Sequence, residues 1–458
     1  MGLVKTKGFD LNMCIDYLRD NNELIIVKRK VDPKFEVAGI ASRYEGKKPV
    51  LFQNIKGAGF SVFTGLYWNR QTLAGIFGTT TAELSGLIRN AVMQWQKEPI
   101  EPVVVNAAPA PANEVIMAEP DLSLLPVPTH FTEDGGPYFL SSVVIARDPD
   151  TGIHNASVNR LMVTGSKRLT MLMDMGRHLR DYYERAEARG EPLQITINNG
   201  VDPAVHIASL VPAATVPIHK NELGIASELL GRPLELLRSQ SVEVEGIANS
   251  QFIIEGKILP NEREPEGPCA EVAGYYAVRA NRYVVEVTAI THRKDAAFHT
   301  ILPGKEVYNS AGLMGEASVC ALVQSQVPEV LNIHFPHGGC GFYQAVVQLE
   351  KKGEGSQKNA ILATFAAFPS LRIVIAIDSD VDIYNHEDVM WAISTRLDPD
   401  RGIVTIKDAR GHELNPMTKN GVGTKIGIDA TAPYPKPYGF RRARAANVSL
   451  DKLRLPIL

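Results

Sequence analysis

The chain has 458 residues, 45% hydrophobic and 22% charged, a profile that provides for two or three folded domains and excludes a fibrous or disordered chain. Lys and Arg total 48 against 51 Asp and Glu, so the net charge of -3 offers no global field for nucleic acid, and a small-molecule partner fits better. The four cysteines, Cys14, Cys269, Cys320 and Cys340, form no CxxC pair, which argues against a disulfide framework or a zinc ribbon and for a reducing cytoplasm.

In chain order, MGLVKTKGFDL lacks the apolar run of a signal peptide, and no stretch approaches the roughly 20 apolar residues of a membrane span, so a cytoplasmic protein is expected. Leu11, Cys14, Ile15 and Leu18 recur at helical spacing, and the apolar run Leu24 to Val27 reads as a strand, giving an α/β segment over 1–105. The proline-rich stretch Asn106 to His130 suits neither helix interior nor central strand and reads as a linker into a second domain.

From Tyr138 to about Pro303, short β-type runs (FLSSVVIA, RLTMLMDM, LQITINNG, SQFIIEG, RYVVEVTAI) alternate with turn residues, which predicts a barrel-like β domain over 106–310. Two helices interrupt it: Leu179 to Ala188, and Asn221 to Leu230 with Asn221 as N-cap. After Gly304, alternating signals return and predict a third, α/β domain over 311–458. Within it, Arg372 to Ile377 reads as a strand buried on both faces, and Asn385 caps the helix EDVMWAISTRL with Asp388 in its first turn. The loop KKGEGSQKN, 351–359, is expected at the surface.

Four constellations have the residue types that chemistry needs. Asn155 to Arg160 (NASVNR), Arg177-His178 and Asn221-Glu222 together offer an amide oxygen, an imidazole and a carboxylate, a set suited to Mg2+ or Mn2+ at a phosphate; each also suits an ordinary turn. The segment Arg263 to Glu271 carries Glu266 and Glu271 in what reads as a loop stiffened by Pro265 and Pro268. Two acids sharing a cavity with an arginine can keep one proton near neutral pH, whereas the plainer reading is a solvated acidic turn. Cys269 lies inside that segment without a base to activate it and reads as structural. His334-Phe-Pro-His337-Gly-Gly-Cys340-Gly stops at three potential ligands, and its glycines point to a tight turn instead of a metal site. His292-Arg293 and His299 suit a substrate carboxylate or an ion pair, with a surface strand end as the plainer reading.

Taken together, NASVNR at 155–160, RH at 177–178, Glu222, EGPCAE at 266–271 and the block FAAFPSLRIVIAIDSDVDIYN, VMWAISTRLDP and TKIGIDAT resemble the UbiD-like decarboxylases, over roughly residues 9 to 432. The resemblance implies a split β-barrel that binds prenylated FMN, followed by a C-terminal α/β oligomerisation domain. It implies Asn155, His178 and Glu222 as ligands of Mn2+ or Mg2+. It also implies K+ held by backbone oxygens of Ala156, Ala208, Ser209 and Val211 around Glu222, and cofactor contacts from Ser157, Val158, Asn159, Arg160, Arg177 and His178 beside the metal-linked Asn155 and Glu222. Arg160, Glu266 and Glu271 are the implied catalytic set, with Glu271 the proton donor, although Cys269-Ala270 stands where relatives have an aromatic residue and a glycine. The lysine that meets the cofactor phosphate in ferulic acid decarboxylases has no secure counterpart; Arg372 is the one candidate.

The implied activity is reversible loss of CO2 from an aromatic, heteroaromatic or α,β-unsaturated acid, a reaction that needs an electron sink beyond ordinary side chains. A flavin prenyltransferase would supply the cofactor, and the implied assembly is a homodimer or homohexamer. An FMN-dependent oxidoreductase on a split barrel and a non-catalytic subunit of a carboxylase complex are the competing readings; the second would have lost Arg160, Glu266 or Glu271, and all three are present.

Overall fold

The structure is a computed structural model that describes residues 10–106 and 110–443. The expected first helix is Leu11–Asp20, with Leu11, Cys14, Ile15 and Leu18 buried along one stripe and the Asp10 side chain accepting from the Met13 amide as N-cap. Ile25–Val27 then joins a four-stranded sheet with Val50–Phe52, Ser61–Thr64 and Ala297–His299, so the N-terminal layer is completed by a strand nearly 240 residues later in the chain. The proline-rich stretch is not a free linker in its described part. Val115–Ile116 pairs with the strand Ala280–His292, and Ala112, Leu122, Leu125 and Val127 are buried, because the apolar residues between the prolines are close enough to anchor each turn. Residues 107–109 of it lie outside the described ones.

A nine-stranded, largely antiparallel sheet forms the middle of the molecule. Its spine is two long strands, Phe252–Glu266 and Ala280–His292, paired antiparallel with bulges that bend them. The helix His178–Ala188 forms as expected, with Arg177 in the N-cap position. The second expected helix starts at Leu223, so Glu222 and not Asn221 occupies the cap position; the Asn221 side chain accepts from the Leu223 amide at 3.0 Å. This frees the Glu222 carboxylate to turn elsewhere.

The helix Lys305–Gln326 carries the chain into a five-stranded C-terminal sheet in the order Val330–His334, Gln344–Leu349, Ile373–Asp378, Val422–Ala430, Ile403–Arg410. The three central strands are parallel, and Ile373–Asp378 is buried over five of its six residues, as its unbroken apolar run predicts. Asn385 caps His386–Arg396 by accepting from the Glu387 and Asp388 amides. The expected surface loop 351–359 ends earlier than its polarity suggests: a helix begins at Ser356, and Gln357 is buried because its amide holds Glu354 and Asp429. The strands and helices follow the expected mixed, multidomain plan. Among the described residues no helix is long and apolar enough to cross a membrane.

Candidate active site

The strand His154–Val158 pairs with Val143–Arg147 and places Asn155 and Ala156 in the interior. Three of the expected residues converge there on one buried carboxylate. Asn155 Nδ2 is 2.8 Å from Glu222 Oε1, His178 Nδ1 is 3.3 Å from the same oxygen, and the Ala156 amide donates to Glu222 Oε2 at 3.3 Å. Asn159 Nδ2 bonds to Ser157 Oγ at 2.8 Å, which ties the rest of the motif into the same polar row. No cluster of three or more His, Cys, Asp or Glu side chains suited to a metal occurs among the described residues, and here the third donor is an amide. A half-turn of the Asn155 amide exchanges its nitrogen for its oxygen and completes an O, N, O donor set.

Five residues along, Arg160 enters a second group. Its Nη2 donates to Glu266 Oε2 at 2.9 Å, while Nη1 is in direct contact with Glu271 Oε1. Glu266 is fully buried, takes a 2.8 Å hydrogen bond from the Tyr138 hydroxyl and has Arg282 Nε at 3.7 Å. Burial opposes charge on Arg160, but the Glu266 carboxylate outweighs it, and the guanidinium titrates above its ordinary value. The Arg160 guanidinium is therefore shared by two carboxylates, of which Glu271, with its side chain 15% exposed, is the accessible one.

Glu266 is the last residue of the strand Phe252–Glu266, so Arg263 to Glu266 is sheet and not the expected loop. Alternation along the strand explains why Arg263 is absent from the site: it pairs with Glu187 and stacks 4.3 Å from the Tyr283 ring centroid. Glu271 lies just beyond, in the hairpin formed by Cys269–Ala270 and Tyr276–Ala277, where its amide donates to the Tyr275 carbonyl. A Cβ on Gly135 would come within 2.4 Å of the Gly267 carbonyl oxygen, so the two backbones meet only because that position is glycine. Cys269 is buried, and burial pushes its thiol up to about 12, which fits the structural role expected of it.

A cleft of about 630 Å³ opens beside the first group, between Asp174–Arg177 and Pro212 on one side and Phe368–Ser370, Arg410 and His412 on the other. Its size is that of a cofactor or substrate site. Arg372, the expected phosphate contact, is not in its lining; it donates to Asn415 Oδ1 at 3.2 Å. Lys425 is buried beneath, donating to the carbonyls of Pro369 and Leu371 and holding that wall in place. Nothing in residue type or spacing marks Tyr138 and Arg282 beside Glu266, or Arg410 and His412 in the cleft wall.

The His292, Arg293 and His299 cluster is no surface strand end. All three are buried, Arg293 bonding to Asp10 Oδ2 and to the Ser250 and Asn249 carbonyls, and His299 packing near the Tyr67 ring. Asp10, the N-cap of the helix Leu11–Asp20 and remote in sequence, supplies the partner of Arg293. The glycine turn expected at His334 to Gly341 is present as a short 3-10 turn at His337–Gly339.

Family models match nearly the whole chain: the N-terminal, Rift-related and C-terminal domains of 3-octaprenyl-4-hydroxybenzoate carboxy-lyase match residues 15–90, 103–306 and 308–430. The chain belongs to the UbiD family of carboxy-lyases. Among UbiD relatives it is 48% identical to an uncharacterized protein in the cooM 5' region of Rhodospirillum rubrum, covering 97% of this chain and 96% of that one. It is 36% identical to anhydromevalonate phosphate decarboxylase of Methanothermobacter thermautotrophicus, covering 92% and 96%. Among solved structures, the UbiD-class enzyme HmfF from Pelotomaculum thermopropionicum in complex with FMN superposes with a TM-score of 0.90 at 39% identity, covering 97% and 98%. The 3,4-dihydroxybenzoic acid decarboxylase AroY of Klebsiella pneumoniae follows at 0.88 and 34%, covering 97% and 99%.

Proposed function

We propose that this UbiD enzyme catalyses the reversible, non-oxidative decarboxylation of a small aromatic or heteroaromatic acid, with an α,β-unsaturated acid as the second choice, and that Glu271 delivers the proton to the carbon that loses CO2. The observation that carries this reading is the single guanidinium of Arg160 shared by a sealed carboxylate, Glu266, and an accessible one, Glu271. Glu266 fixes the arginine. Glu271 in turn is oriented by it, in contact with surroundings from which a substrate can approach.

Prenylated FMN is the cofactor this reading calls for, because the negative charge left by CO2 needs an electron sink, and that is the chemistry it supplies when bound. Residues beside the cleft fit it: Asn155, His178 and Glu222 present the oxygen and nitrogen donors of a Mn2+ or Mg2+ ion at a phosphate, and Arg177 and Arg410 add positive charge at the cleft wall. Ser157, Val158 and Asn159 lead from that end to Arg160. A K+ ion near Glu222 and a homo-oligomer built through the 311–458 segment complete the proposal, with a flavin prenyltransferase as supplier of the cofactor.

Co-expression with such a prenyltransferase, followed by a panel of acids assayed for CO2 release, tests it. Release from arenoic or enoic acids is expected. Turnover restricted to saturated acids would exclude the electron-sink chemistry, and flavin bleaching by NAD(P)H in place of decarboxylation would point to the oxidoreductase reading. Glu222→Ala should lose metal and flavin together; unchanged flavin occupancy in that variant would remove the trio from metal binding.

A further inference from the structure

The turn at His334 to Gly341 has no part in the site, yet it is built around one residue of the helix Lys305–Gln326. A Cβ on Gly341 would lie 2.8 Å from the Tyr308 Cα, and Gly341 has φ of 75°, so a side chain at this position would push the helix away. The His337 ring packs 5.5 Å from the Tyr308 ring, centroid to centroid, and its Nε2 lies 2.9 Å from Asn309 Oδ1 on the same helix. Boxed in this way, Tyr308 directs its hydroxyl to the carbonyl oxygen of Val272, donating at 3.1 Å. Burial pushes that hydroxyl up to about 12, so it keeps its proton across the working range.

Val272 is the residue after Glu271. The other side of the same hairpin is held by the segment preceding Tyr138: Asp134 Oδ1 accepts from the Ala270 amide at 2.9 Å, and the Gly135 amide donates to the Pro268 carbonyl at 2.7 Å. Those bonds come from within the middle region. Tyr308 comes from the helix that leads into the C-terminal sheet, and the turn that boxes it belongs to that sheet.

We propose that Tyr308 is a positioning residue for Glu271, through which the seat of the His334 to Gly341 turn on the helix sets where the acid stands. The proposal rests on the reading of Glu271 as proton donor. It also gives that turn a task that metal binding does not.

Tyr308→Phe keeps the ring in its box and removes the hydroxyl, with its bond to the Val272 carbonyl and its contact with the Cys340 thiol. In the cofactor-loaded enzyme, kcat should fall about 10-fold with KM changed far less, because misplacing a catalytic group costs rate more than binding. Amide hydrogen exchange over 269–277, measured without cofactor or substrate, should speed up while the thermal midpoint stays in place. His337→Ala, which loosens the box and leaves the hydroxyl, should give a smaller change of the same sign. In a Glu271→Gln background, Tyr308→Phe should cost nothing further. Wild-type exchange of the hairpin in Tyr308→Phe, or an equal loss of rate in both backgrounds, overturns the proposal. Wild-type turnover in Glu271→Gln alone instead removes the proton donor, and the exchange measurement then still reports whether Tyr308 holds the hairpin.

Discussion

The Arg70–Glu316 pair and the Arg160 group are both buried, and on the proposed reading their difference separates a structural ion pair from one arranged for chemistry. Glu316 is fully buried and surrounded: Arg70 binds both its oxygens at 2.7 and 2.8 Å, His334 Nδ1 lies at 2.7 Å, and the Phe335 amide donates at 2.8 Å. Burial alone would raise its pKa, but Arg70 and His334 overturn that and hold it at about 2. One carboxylate there has every donor it can use, and nothing is left to exchange. At Arg160 the balance differs: its guanidinium is divided between Glu266 and Glu271, and Arg282 stands 3.7 Å from Glu266. On the proposed reading a divided cation leaves Glu271 to handle a proton, whereas a saturated carboxylate serves as a rivet between Arg70 and the C-terminal sheet.

The comparison breaks most visibly at Glu316. Glu316→Ala strands the Arg70 guanidinium in the interior and should cost about 3–5 kcal/mol of stability, with turnover per folded molecule retained. Denaturant titration read beside the specific activity of the soluble fraction checks both halves; stable but inactive protein would place this pair in the chemistry. Next, Glu271→Gln should leave stability and cofactor content intact and lower turnover by about 10² or more, the usual worth of a positioned acid. Deuterium incorporation into product is the decisive reading, and a wild-type rate there would exclude Glu271. Glu266→Gln should also slow turnover, through the loss of Arg160's anchor, and its effect should not add to that of Glu271→Gln.

The smallest effect is on pH. Glu316 has a folded pKa near 2 against an ordinary 4.5, so its contribution is fully present above about 4.5 and is lost as pH falls from there toward about 2. Wild-type stability should drop across that window more than that of Glu316→Gln. Parallel curves would show that the carboxylate is not held as its partners imply.

The polar row was legible because Asn155, His178 and Glu222 sit in short motifs whose residue types suit a cation. The Arg160 group is another matter. Arg160 and Glu266 are 106 residues apart, and they meet through successive sheet pairings: Leu161–Gly165 with Arg168–Met171, that strand with Ala280–His292, and this one with Phe252–Glu266. Only the resemblance placed the three residues together. Tyr138 arrives by the same route, since Tyr138–Phe139 pairs with Leu161 and Met162, and no local pattern in the sequence encodes that register. Boundaries failed where a polar run hides a helix start, as at Ser356, and exposure failed at Arg293, whose cover comes from Asp10.

Among the described residues, the hairpin that carries Glu271 shows some of the most exposed apolar side chains, Tyr275 at 61% and, just past its second strand, Val278 at 77%. A fluorophore attached at Val278 would therefore ride on the acid's own support while meeting solvent and not substrate. Its anisotropy would follow the hairpin in real time during turnover, which turns a surface liability into a built-in gauge of the segment that carries Glu271.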